Sequence, residues 1–167
     1  MAKWSFEIAT WTPVAVGDGA AMTANAFQGL VGNSATQRYD ISEIYMGGQG
    51  TSSAPMYMVF ARSHLVGSST AVSTIAGGVQ SMLDSAATAA VSSKNFTSSV
   101  TQPTRASNGG VLSLSYNGFG GIVRWVAPPG SEIKQLGTAV STGEITLSAY
   151  TGGTPSAMGS HIIYEAF

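Results

Sequence analysis

The chain has 167 residues, 44% of them apolar and only 9% charged, with a formal net charge of −1 and no cysteine. That length suits one domain with a real core, and the missing thiols exclude a disulfide framework or a thiolate metal site. Seven basic residues against eight acidic ones leave no electrostatic footprint for nucleic acid or anionic lipid.

In chain order, residues 4–8 alternate, with Trp4, Phe6 and Ile8 on one face and Ser5 and Glu7 on the other, as in a half-buried strand. Trp11 follows, then Pro13, which suits an edge or a turn, and Gly17-Asp18-Gly19 signals a turn. Residues 20–32 read as a strand with a bend, because Gly29 and Gly32 oppose a helix.

Two strands, 37–46 and 55–64, form the centre of the pattern and are joined by a Gly- and Ser-rich loop. In the first, strict alternation puts Tyr39, Ile41, Glu43 and Tyr45 on one face and Arg38, Asp40, Ser42, Ile44 and Met46 on the other. The second carries Met56-Tyr57-Met58-Val59-Phe60-Ala61, apolar without a break, as expected of a strand covered on both faces.

Residues 67–93 are built largely from Ser, Thr, Ala and Gly. Within them Val79, Met82, Leu83, Ala86, Ala87 and Ala90 make a helical stripe, so the pattern allows one short helix near residues 79–90, with an extended loop as the alternative. A short strand is expected at 96–102. Asn108-Gly109-Gly110 marks a turn, and Asn117-Gly118 marks a hairpin joining strands 111–116 and 119–126. Pro128-Pro129-Gly130 ends that hairpin, 131–136 is a further strand, and 144–150 alternates with Ile145, Leu147 and Ala149 inward. The chain ends in a strand, 161–167.

The expected architecture is all-β: one domain, 1–167, a jelly-roll-like β-sandwich of eight or nine strands with at most one short helix. Both terminal strands carry aromatic residues, and an aromatic strand edge left open invites pairing with another chain. Trp4, Phe6, Trp11, Arg38, Tyr45 and Phe167 are therefore the expected protein-interface residues, with the termini engaged between subunits.

No catalytic set emerges. His64 and His161 lie on separate strands without the spacing of a metal site. Asp40 and Glu43 are three apart, which puts them on opposite faces of a regular strand, while Arg38 and Asp40 share a face and suit a local ion pair. Gly118-Phe119-Gly120-Gly121 lacks the following helix that a phosphate loop needs. Asn95-Phe96-Thr97 matches a glycosylation sequon without a secretion signal beside it. No Gly-x-Ser-x-Gly elbow occurs. The expectation is no enzyme, no cofactor and no metal. Trp4, Trp11 and Trp125 with the tyrosines leave open a sugar-stacking platform, against the alternative that they form core or subunit interface.

Charged residues are far below the usual ~25% of a soluble domain, and self-repulsion is what keeps free monomers apart. Much of the surface is therefore expected to be covered, by copies of the chain or by other chains; a neutral Ser/Thr-coated domain is the alternative. No apolar run reaches the ~20 residues of a membrane span, and the first residues lack the apolar core of a signal peptide, so cytoplasmic synthesis is the simplest expectation.

The run Ala35-Thr36-Gln37-Arg38-Tyr39-Asp40-Ile41-Ser42-Glu43-Ile44-Tyr45-Met46-Gly47-Gly48, with the apolar strand ending in Ala61-Arg62-Ser63, resembles small virion proteins of tailed bacteriophages. The charge-poor, cysteine-free remainder is similar in style to capsid decoration, or cement, proteins. The resemblance implies a homo-oligomer, with a trimer favoured, that binds the major capsid protein on the outer face of the shell and clamps adjacent subunits. A phage tail or fibre subunit and a carbohydrate-binding β-sandwich are the alternatives.

Overall fold

The computed structural model describes residues 3–24, 26–32, 37–64, 77–81, 91–94, 103–137 and 144–167. They contain eleven strands and no helix: β1 Lys3–Trp11, β2 Phe27–Gly32, β3 Gln37–Gln49, β4 Pro55–His64, β5 Gly77–Ser81, β6 Val91–Lys94, β7 Thr104–Asn117, β8 Phe119–Val126, β9 Ile133–Gly137, β10 Glu144–Ala149 and β11 Met158–Ala166. One sheet runs β5-β1-β11-β3-β8, with β9 also pairing β3; the other runs β6-β2-β10-β4-β7. We call them sheet A and sheet C.

The orders β1-β11-β3-β8 and β2-β10-β4-β7 are those of a jelly roll, in which most connections cross from one sheet to the other. β5 and β6 extend the two sheets at the same side. The expected β-sandwich is thus the observed fold. Of the expected helix near 79–90, residues 79–81 belong to β5 and the remainder lies outside the described residues, as does the strand expected at 96–102.

The core lies between the sheets. Trp4, Phe6, Ile8 and Trp11 from β1, Ile162 and Tyr164 from β11, and Tyr39, Ile41, Ile44 and Met46 from β3 meet Leu30, Met56, Met58, Phe60, Ile145 and Leu147 of sheet C. Burial of this apolar surface drives the fold, at roughly 2–3 kcal/mol for each fully covered large side chain. Two polar devices sit inside. Ser160 Oγ accepts from Trp11 Nε1 (2.9 Å) and donates to Gln28 Oε1 (2.7 Å), while Gln28 Nε2 donates to Phe6 O (3.2 Å). Tyr39 Oη donates to Leu30 O (2.8 Å), and burial raises its pKa well above the ordinary tyrosine range.

β3 corrects the strict alternation expected of it. Glu43 pairs with Ile163 and Ile41 with Tyr164, so Ser42 is one residue too many. This β-bulge flips the strand's faces: Tyr39 and Ile41 point inward before it, Ile44 and Met46 after it. It lies where β3 changes neighbour, from β9 at residues 37–41 to β8 from Glu43 onward.

Two expected turns are also something else. β7 pairs with β4 and β8 with β3, so Asn117-Gly118 does not close a hairpin but carries the chain across from sheet C to sheet A. Gly118 is needed there because a Cβ would strike Ser156 Oγ and come within 3.2 Å of Met56 Cγ. Asn108-Gly109 sits in a bulge within β7: Ala61 pairs with Gly110 but Ser63 with Arg105, and Asn108 takes φ 57°.

That bulge places Arg105. Its side chain is fully buried and donates to Val16 O (2.5 Å), Ser148 Oγ (2.6 Å) and Ala149 O (3.0 Å), with Asp18 at 3.7 Å and the Tyr150 ring at 5.1 Å. Burial draws its pKa below the ordinary arginine value while Asp18 and Tyr150 oppose the shift. Arg105 staples residues 12–24, expected in part to be strand, over the outer face of sheet C. Val16 N donates to Ala149 O (3.1 Å) and Met22 N to Pro103 O (2.9 Å) along the same seam.

Candidate functional site

With sheet C covered by its own chain, the open surface belongs to sheet A and to the flank where β7 and β8 end the two sheets. β8 has a free edge among the described residues, as does β7 beyond Arg105, its start being paired with residues 19–22. The terminal strands do not: β1 lies between β11 and β5, and β11 between β1 and β3. The open edges expected at the chain ends are therefore filled from within.

β8 alternates in an unusual sense. Val123 and Trp125 pack half-buried on the core, while the outward residues are Ile122, Arg124 and Val126. Ile122 is 66% exposed, Val126 50%, and Phe119 at the start of the strand 60%. The one charge in this row is neutralised on the spot: Arg124 donates from Nε (2.7 Å) and from a terminal nitrogen (3.0 Å) to the two oxygens of Glu43. That fork holds the Glu43 carboxyl below its ordinary value of 4.5. The outer face of β8 thus offers apolar side chains around a self-neutralised pair, with neither Lys nor Pro along the strand to guard the edge.

The expected interface residues divide into two groups. Trp4, Phe6 and Trp11 lie in the core and offer nothing to a partner: alternation on β1 turns Trp4 and Phe6 toward sheet C, and the register shift between Ile8 and Trp11 turns Trp11 the same way. Arg38, Tyr45 and Phe167 are on the surface. Arg38 lies 3.3 Å from Asp40 and covers the Phe167 ring at 4.7 Å, while the two residues exchange backbone hydrogen bonds. Tyr45 is on the outer face of sheet A, beside Arg124 and His161 in register.

The carboxylates are structural in their contacts. The Ser42 bulge brings Asp40 and Glu43 to the same outer face, against the expectation of opposite faces, but a cation holds each one. Asp40 sits between Arg38 and Lys134, the latter at 3.8 Å, and Glu43 is held by Arg124. Among the described residues no three His, Asp or Glu side chains come together as a metal site. His161 is half-buried on β11.

The sequence reading missed two features. Exposure of the β8 outer face has no signal in the strand itself, whose residues read as core. A shallow depression of about 490 Å³ on sheet A, lined by Glu7, Tyr45, Gly47, Gln49, Ile122 and His161 among others, comes from glycines meeting across strands far apart in sequence. Comparison of the chain with protein-family models, curated proteins and solved structures finds no match.

Proposed function

We propose that the chain is a structural assembly protein of a virion, of the capsid decoration type. Its β7/β8 flank docks on neighbouring copies and on the major capsid protein at the outer surface of the shell. The observation that supports this reading is the outer face of β8. Three large apolar side chains stand exposed on an unguarded edge strand, where a second chain can add a strand through backbone hydrogen bonds and cover them. A surface this poor in free charge suits permanent contacts, and repetition over a lattice turns modest contacts into high avidity.

The virion setting comes from the resemblance alone. Its residues 37–48 and 61–63 fall in β3 and β4, the middle strands, so they bear on the fold more than on the docking surface. Jelly rolls build capsid proteins and also lectins. A lectin reading based on tryptophans loses Trp4 and Trp11 to the core. A tail or fibre subunit would use the same flank.

Mixing purified protein with undecorated capsids and counting bound copies tests the proposal. A decoration protein saturates at a fixed multiple of the lattice, and Val126→Lys abolishes binding by placing a charge in the row. Failure of the wild-type protein to bind shells while binding tails favours the tail reading.

A further inference from the structure

Glycine inside a strand costs stability, and it usually marks a bulge, a bend, or the close approach of another backbone or a ligand. Three such glycines lie together on sheet A, Gly47 and its partner Gly159 on the outer face and Gly48, opposite the buried Met158, on the inner one. Gly48 is accounted for by the chain itself, since a Cβ there would strike the Gly118 carbonyl. Gly159 is too, since its Cβ would press within 3.0 Å of Ala9 O. Gly47, directly paired with Gly159, is not. A Cβ on Gly47 would meet nothing within 4 Å, and its φ is not in the left-handed region.

The space above Gly47 is the depression of about 490 Å³. A wider one of about 630 Å³ beside Tyr57 and Tyr116 differs: its Gly153 is forced by Pro55 O and Tyr57 N, both 2.9 Å from a Cβ. Of these two depressions, the one over Gly47 is kept open at a cost that the packing of the described residues does not explain.

The rim selects what fits there. Tyr45 and Ile122 are exposed and supply an apolar wall. Opposite them stand Glu7, which makes no ion pair among the described residues, and His161, whose Nε2 reaches no hydrogen-bond partner. A buried polar atom without a partner asks for an explanation; with nothing among the described residues fixing that nitrogen, the imidazole can turn toward a hydroxyl. Gln49 donates its amide to Ala9 O (2.8 Å) and keeps its carbonyl as an acceptor at the edge. An anion would be repelled by Glu7, and a wholly apolar ligand would strand the carboxylate. A ring with a C–H face for Tyr45 and several hydroxyls for Glu7, His161 and Gln49 satisfies both sides.

We propose that this depression binds a neutral pyranose sugar, stacked on Tyr45 over the bare backbone of Gly47, with its hydroxyls donating to Glu7. The site shares Ile122 with the docking face of β8, while Val126 takes no part in it.

The test is an NMR titration of ¹⁵N-labelled protein with the methyl glycosides of glucose, galactose, mannose and N-acetylglucosamine, following the amides of Tyr45, Gly47 and Gly159. Saturable shifts with at least one sugar are expected. Gly47→Val and Tyr45→Ala should each weaken that sugar by about tenfold or more. Gly47→Val enters open space, so its melting temperature should match or exceed that of the wild type, which separates loss of ligand from loss of fold. If it nonetheless unfolds, Glu7→Gln on a solvent-facing side chain gives the same readout. Absence of shifts with all four sugars, unchanged affinity in Gly47→Val, or saturation by methylammonium in place of the sugars would overturn the proposal.

Discussion

β10 and β8 have nearly opposite sequences and nearly opposite fates. The polar alternation of Glu144-Ile145-Thr146-Leu147-Ser148-Ala149 reads as a strand with one face in water, yet every residue is buried. Phe119-Gly120-Gly121-Ile122-Val123-Arg124-Trp125-Val126 reads as core, yet its outward residues are exposed. The difference lies in what lies on top. Residues 12–24 and Arg105 cover the Ser148–Ala149 end of β10, where Ser148 accepts from Arg105, while Thr146 Oγ1 shares a 2.7 Å hydrogen bond with Ser63 Oγ of the neighbouring β4. Nothing among the described residues covers the outer face of β8. Polar residues under a lid and apolar residues without one suggest that the second lid comes from another chain.

The largest effect expected from breaking this contrast is in the inward half of β10. Leu147→Ala, at a fully buried position, should cost about 3–4 kcal/mol in urea unfolding. Removing the lid's staple comes next. Arg105→Ala strands the acceptors it serves and should cost about 3 kcal/mol, with faster hydrogen exchange at the Val16 amide, which the staple holds against Ala149. Gly48→Ala should cost about 2 kcal/mol, because the obstruction is backbone that must shift; its neighbour Gly47 should tolerate the same change.

On the uncovered side the expected effects on folding are small. Val126→Lys should change unfolding free energy by less than about 0.5 kcal/mol, since the side chain is already half in water. The smallest concerns Glu43. Its folded pKa is lowered, so its pairing with Arg124 stabilises the fold above the ordinary carboxylate value and loses that contribution as pH falls through the lowered one. Melting curves of wild type and Glu43→Gln should therefore differ slightly at neutral pH and converge in acid.

Periodicity in the sequence revealed most strands. The alternation of Trp4, Phe6 and Ile8 marked β1, the unbroken run at 56–61 marked β4, and the many short strands with Gly-rich turns marked the sandwich. What stayed hidden depends on partners remote in the chain. Ser42 becomes a bulge only because β3 changes neighbours there, and that bulge brings Asp40 and Glu43 to one face. Asn117-Gly118 is a hairpin dipeptide by local rules, but the sheets compete for its flanks, and pairing with β4 and β3 wins. Arg105 stands in a Ser/Thr-rich stretch with no periodic signal, and its role exists only once residues 12–24 fold back over β10. The depression over Gly47 has the same origin, since Gly159 lies opposite only after β11 pairs with β3.

The central claim is that the β8 face is covered by another polypeptide. Light scattering on wild-type protein and Val126→Lys over a range of concentrations, after size exclusion, tests it most directly. The account predicts a wild type that assembles beyond the monomer mass and a folded variant that stays at it. A wild type that remains monomeric and soluble at every concentration, indistinguishable from Val126→Lys, would contradict it.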